Sequence, residues 1–172
     1  MNICQNLETM NKQATHKVLL DTSFLIRLLD ENSNLHQNAL DYYRFFLENG
    51  YELYVSTISV AEYCVKGHIE HLPWDVLHVI PFNLDHAKLA GVYAAIIYEA
   101  REKGVYVTED RLIIPNDTMI FSQVELSELD YFATSDTKSA NAIRIVSDHA
   151  GTHFRHLDIH TPYTEMFGVL GV

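Results

Sequence analysis

The chain has 172 residues, near the roughly 100–200 of one domain, with 48% apolar and 20% charged residues and a net charge of −11. That much apolar surface excludes disorder by composition, and the acidic balance argues against a broad basic face wrapped around a phosphate backbone. Two cysteines (Cys4 and Cys64), a polar N-terminus and no apolar run near the roughly 20 residues of a membrane span lead us to expect a cytoplasmic protein with no membrane segment.

Residues 1–16 carry few apolar side chains and no period, which predicts a flexible extension ahead of a single domain over 17–172. Lys17-Val-Leu-Leu20 is a short apolar run that stops at Asp21-Thr22-Ser23, a buried strand followed by a helix from Ser23 to Leu29. Ser33-Asn34 suits the cap of a second helix, whose Leu35, Ala39, Tyr42 and Phe46 keep helical spacing up to Asn49-Gly50. Tyr51 to Val55 is rich enough in β-formers for a strand, and Ser56 to Gly67 reads as a helix. Val76 to Pro81 is a third strand, followed by a long helix from Asp85 to Lys103 with Ala87, Gly91, Ala94 and Tyr98 as its packing stripe. Val105 to Val107 is read as loop. Pro115 opens a helix to about Leu129, in a first turn where its missing N–H costs nothing. A strand at Tyr131 to Thr134, a helix from Thr137 to His149 and a strand at Phe154 to Ile159 complete the pattern. Strands alternating with long helices predict a parallel sheet covered on both faces.

Four carboxylates stand out by position: Asp21, Glu62, Asp117 and Asp136, each placed by this pattern near a helix start. In a parallel α/β sheet the strand-to-helix turns share one edge, where ligands bind at the point of strand-order reversal. Singly, each acid has a structural explanation. Asp21 and Asp136 suit N-caps, Ser59-Val-Ala-Glu62 matches a capping box, and Asp117 complements a helix N-terminus. Asp117 resists that explanation most, because it shares a helical stripe with Ile120, Phe121 and Val124 and so faces the sheet with no Arg or Lys at a neighbouring helical position. Clustered Asp and Glu without Cys suit Mg²⁺ or Mn²⁺ over zinc, and such ions support phosphodiester hydrolysis.

Val18-Leu-Leu-Asp21-Thr-Ser, Ile58-Ser-Val-Ala-Glu62, Pro115-Asn-Asp117-Thr and Thr134-Ser-Asp136 resemble, in order, the four acidic motifs of the PIN-domain family. The segment from Val79 to Asp85, leading into an Ala-rich helix, resembles the family's middle portion. The resemblance implies a Rossmann-like α/β/α sandwich with a central parallel sheet and Mg²⁺- or Mn²⁺-dependent RNA cleavage, as in VapC-type toxins. It implies Asp21, Glu62, Asp117 and Asp136 as catalytic, metal-holding acids, with Thr22 and either Thr134 or Ser135 contacting water or phosphate. Metal-activated water would be the nucleophile, leaving a 5′-phosphate and a 3′-hydroxyl. Single-stranded RNA, an antitoxin protein and a second copy of the chain are the partners it suggests. Because the overall charge repels RNA, binding requires local cations. Lys138 and Arg144 lie just past Asp136, with Lys66 and Arg27 as further candidates. A protein-binding module without catalysis and a metal-dependent DNA nuclease are the alternatives. Tyr43 and Phe45, off the main stripe of their helix, are candidates for a partner surface, and His156, Asp158 and His160 for a minor transition-metal face.

Overall fold

The computed structural model describes residues 15–104 and 113–168. Residues 1–14 of the expected extension and the 105–107 segment lie outside the described residues. Five strands, β1 (Lys17–Leu20), β2 (Glu52–Ser56), β3 (Leu77–Ile80), β4 (Tyr131–Thr134) and β5 (Arg155–Asp158), form one sheet in the order β3-β2-β1-β4-β5. Every pairing is parallel.

Alternation along the strands divides the core into two layers. Val18 and Leu20 face α1 (Thr22–Leu29) and α2 (His36–Glu48), with Phe24, Tyr42 and Phe46 in the same cluster. Leu19 points the other way, into a cluster with Phe121, Phe132, Tyr93 and Val146. That second layer is built by α4 (Leu84–Glu102), α5 (Ile113–Leu126) and α6 (Thr137–Ala150). Each large apolar side chain buried here contributes about 1.5–3 kcal/mol. Among the described residues no helix is long and apolar enough to cross a membrane.

Several boundaries differ from expectation. α3 (Thr57–Tyr63) is capped by Ser56, whose Oγ accepts from the Ile58 N–H at 2.9 Å, and it ends four residues before Gly67. α2 begins at His36 because Ser33 spends its hydroxyl on the Leu35 N–H, closing the turn ahead of the helix. α4 begins under Asn83, whose side chain accepts from the Asp85 and His86 N–H groups while His86 Nδ1 accepts from the Asn83 N–H. Its buried stripe is His86, Ala90, Tyr93, Ile97 and Ala100, one residue out of phase with the expected one. Ala87, Gly91 and Tyr98 are exposed instead. α5 starts at Ile113, so Pro115 lies within the first turn, which its missing N–H tolerates equally well.

A short helix that the sequence did not suggest, α7 (Tyr163–Met166), packs back onto α2. The Phe45 ring stacks on Phe167 at 4.7 Å and lies 5.0 Å from Tyr163. Phe45 is thus partly covered by residues 163–167, and Tyr43 is half-buried against the same core. His16, assigned by sequence to the extension, packs 5.2 Å from the Tyr51 ring.

One buried polar residue ties α5 to the sheet. Gln123 accepts from Ser56 Oγ at 2.6 Å and donates to the Ile80 carbonyl at 2.9 Å. Gln123→Leu leaves that carbonyl without its partner and is expected to cost about 1–3 kcal/mol, measurable as a lower urea midpoint with an unchanged denaturant slope.

Candidate active site

The strand order reverses beside β1. The chain leaves β1 toward β2 and β3 and returns on the other side as β4 and β5, so the ends of β1 and β4 lie together. The Asp21 N–H donates to the Ala133 carbonyl at 3.0 Å and fastens the two ends. Asp21 caps α1 and is buried; its Oδ2 accepts from Ser23 N–H at 3.3 Å, Ser23 Oγ at 2.9 Å and Thr134 Oγ1 at 2.9 Å. Asp136 caps α6 through Oδ1, which accepts from the Lys138 N–H at 2.8 Å, while its own N–H donates to Thr134 Oγ1. Both aspartates therefore serve as helix caps at the edge of the sheet.

Glu62 sits in the last turn of α3, not at a helix start, and Ser59 is not its capping partner, since Ser59 Oγ is buried without a described hydrogen bond. Glu62 Oε2 instead accepts from Thr22 Oγ1, and Oε1 from Asn116 Nδ2 at 2.8 Å. It joins α1, α3 and α5. Asp117, one residue further along α5, accepts from Ser139 Oγ on α6 at 3.1 Å. The stripe it belongs to is buried as expected, with Ile120, Phe121 and Val124 at 2% exposure or less.

All four acids, with Thr22, Ser23, Ile26 and Asn116, line one cavity of about 360 Å³. Burial pushes the Asp117 carboxyl up to about 8, and the neighbouring Asp21, Asp136 and Glu62 carboxylates add to the rise while the Ser139 bond opposes it. Burial likewise raises Asp21, against its bonds from Thr134 and Ser23. Crowded carboxylates that raise one another's pKa are the chemistry of a hard-cation site. Among the described residues no three His, Cys, Asp or Glu side chains are grouped closely enough to hold a metal ion as they stand.

The other sequence candidates divide by position. Thr22 lines the cavity; Thr134 and Ser135 stand behind it, Thr134 bonded to Asp21 and the Ser135 N–H donating to Ser23 Oγ at 2.9 Å. Lys138 is exposed in the first turn of α6. Arg144 lies further along the same helix and reaches Asp148 at 3.6 Å. His160 Nδ1 is engaged with Asp158 at 2.7 Å, and among the described residues His156, Asp158 and His160 are not grouped to hold a metal ion.

Sequence reasoning missed Ser23, Asn116 and Ser139, which orient Asp21, Glu62 and Asp117. Ser139 was readable, because it falls on the buried stripe of α6 with Ala142, Ile143 and Val146, where a hydroxyl needs a partner.

A family model described as PIN domain matches residues 18–145. No curated protein matches the sequence. Among solved structures the chain is similar to VapC20 of Mycobacterium tuberculosis, a toxin that cleaves the sarcin-ricin loop. Identity is 15% and the TM-score 0.52, over 73% of this chain and 94% of that one. It is similar to the DNA-bound VapBC of Salmonella typhimurium at 21% identity and a TM-score of 0.51, covering 84% and 99%. The tyrosyl-tRNA synthetase of Aeropyrum pernix is similar at 14% identity and a TM-score of 0.53, over 87% of this chain and 53% of that one. At these identities the likeness is of fold, which fixes no activity by itself.

Proposed function

Because this chain belongs to the PIN-domain family, we propose that it is a divalent-metal-dependent endoribonuclease that hydrolyses RNA phosphodiester bonds. The observation that carries this reading is a single cavity lined by Asp21, Glu62, Asp117 and Asp136, with Asp117 buried and its carboxyl pushed up by burial and by the other three acids. These four would hold Mg²⁺ or Mn²⁺. Such an ion supplies positive charge for the scissile phosphate and makes water a competent nucleophile at neutral pH.

The chain's own groups do the positioning. Thr134 and Ser23 fix the Asp21 carboxylate, Thr22 and Asn116 fix Glu62, and Ser139 fixes Asp117, so the acids face the cavity in set orientations. Preset orientation of this kind typically changes metal affinity or activity by about 10–100-fold. Thr22, Thr134 and Ser135 are assigned to water or phosphate contacts, and Lys138 and Arg144 to the RNA backbone beyond the cavity. The products are a 5′-phosphate and a 3′-hydroxyl. The likeness to VapC20 and to the VapBC complex supports a toxin role with an antitoxin partner; we assign the protein to the cytoplasm, as a homodimer.

Matched single-stranded RNA and DNA oligonucleotides, with Mg²⁺, Mn²⁺ or EDTA, test the reading. RNA is expected to be cut only with the ion present and DNA left intact; cleavage of DNA alone, or cleavage in EDTA, contradicts it.

A further inference from the structure

Glu62 is carried by a helix too short to hold itself in place. α3 spans seven residues, less than two turns, and a helix of that length takes its stability from what it packs against. Two hydrogen bonds tie it to α5. Beside the cavity, Asn116 Nδ2 donates to Glu62 Oε1 at 2.8 Å. At the other end of α3, Ser56 Oγ donates to Gln123 Oε1 at 2.6 Å, and both of these residues are fully buried. Ser56 to Glu62 is six residues and Asn116 to Gln123 is seven, roughly 9 Å and roughly 10 Å along their helices. Seven residues are also close to two full turns, so Asn116 and Gln123 share one face of α5. The two helices therefore run in opposite directions with a rung between them at each end. The lower rung has a fixed polarity. The Ile80 carbonyl, which can only accept, takes the Gln123 Nε2 donor at 2.9 Å. That turns Gln123 Oε1 toward Ser56, so the hydroxyl gives its hydrogen to the amide and keeps a lone pair for the Ile58 N–H at 2.9 Å, the bond that caps α3.

We propose that Gln123 is a positioning residue for the ion site: through Ser56 it fixes where α3 stands along α5, and so how far Glu62 reaches toward Asp117. The inference rests on the nuclease reading above and goes beyond it, because Gln123 does not line the cavity and its side chain bonds only Ser56 and Ile80. Gln123 stands on the helix that supplies Asn116 and Asp117, and it orients the cap of the helix that supplies Glu62. The two rungs are unequal. Asn116 meets Glu62 at an exposed position, where water competes for the same groups. The Gln123 rung is sealed from water, so a partner lost there is not replaced and the helix end it holds must shift. The buried rung therefore sets the register, and the exposed one follows it.

The test is calorimetric titration with Mn²⁺ of wild type, Gln123→Met, Ser56→Ala and the combined variant. Tyr42→Phe is the control, since it removes a bond to the Thr161 carbonyl in the other core layer. Gln123→Met and Ser56→Ala are each expected to raise the dissociation constant about tenfold, the lower end of what losing an orienting partner does. Because both break the same rung, the combined variant is expected to bind no more weakly than the weaker single one. Tyr42→Phe is expected to melt lower and to bind Mn²⁺ as wild type does. If Gln123→Met does not fold, Ser56→Ala, which keeps the Ile80 bond, reads the same rung. A wild-type dissociation constant in both single variants overturns the inference and leaves Gln123 a brace of the fold. An equal loss in Tyr42→Phe also overturns it, because affinity then follows stability alone. So does a loss of about a hundredfold in the combined variant, which means two independent effects. In each of these cases wild type still binds Mn²⁺ and cuts RNA, and the nuclease reading stands. Failure of wild type to bind Mn²⁺ and to cut any RNA strikes that reading, and the inference with it.

Discussion

Asp117→Asn is expected to bring Mn²⁺-dependent RNA cleavage down to background while making the ion-free protein more stable at neutral pH. Both effects come from one carboxyl group. Asp117 is buried beside Asp21, Asp136 and Glu62, and its carboxyl is pushed up to about 8. Without an ion, the native state must either keep Asp117 protonated or bury an unpaired charge, and each choice costs stability. The amide is neutral, nearly the same shape, and still accepts the Ser139 hydroxyl. Loss of activity together with a higher melting temperature distinguishes a functional acid from a structural one, whose removal would lower both. A variant that cuts RNA at the wild-type rate, or that unfolds more readily than wild type, argues against the assignment.

The second large effect is its dependence on pH. A carboxyl whose folded pKa is raised costs nothing below its ordinary value of 3.8, and the cost grows as pH rises from there to about 8. Over that window the stability gap between Asp117→Asn and wild type is expected to widen by up to about 1.4 kcal/mol per pH unit. For a chain of this size that is roughly 3–5 °C in melting temperature. Burial lowers the pKa of His86 and His156, which gives the opposite slope on the acid side, but both are present in each protein and cancel in the comparison. Adding Mn²⁺ closes the gap from the wild-type side. At a hundred times the dissociation constant it stabilises wild type by about 2.7 kcal/mol and leaves Asp117→Asn nearly unmoved. Thermal unfolding from pH 5 to pH 8, with and without the ion, checks both halves; a gap that is flat across this range contradicts them.

The five strands and the long helices were legible because period and length are local properties. Lys17–Leu20 and Tyr131–Thr134 have the bounds their apolar runs suggest. The gathering of the acids was legible at one remove, since parallel β/α units place their turns along one edge whatever their separation in sequence. What escaped reading depended on contacts between distant segments. The Ser59 to Glu62 spacing fits a capping box, yet Ser56 takes the cap and frees Glu62 to turn toward Thr22, 40 residues away. Asn116 meets Glu62 across 54 residues and Ser23 meets Thr134 across 111, with no local trace of either pairing. In α4 the period was right and the phase was not. Alanine and glycine are apolar enough to suggest a buried face, but the bulk of Tyr93 and Ile97 decides which side enters the core. The tail helix α7 is only four residues long and carries no helical period to detect.

Everything in the proposed activity depends on carboxylates from four separate motifs holding one kind of ion together, and calorimetric titration with Mn²⁺ at pH 7, in two buffers of different ionisation heat, tests that most directly. Wild type is expected to bind with release of close to one proton, the one Asp117 gives up on entering the ion's coordination. Asp117→Asn is expected to bind far more weakly and to release none. No binding by wild type at millimolar Mn²⁺, or equal affinity and equal proton release in both proteins, would contradict a shared ion site.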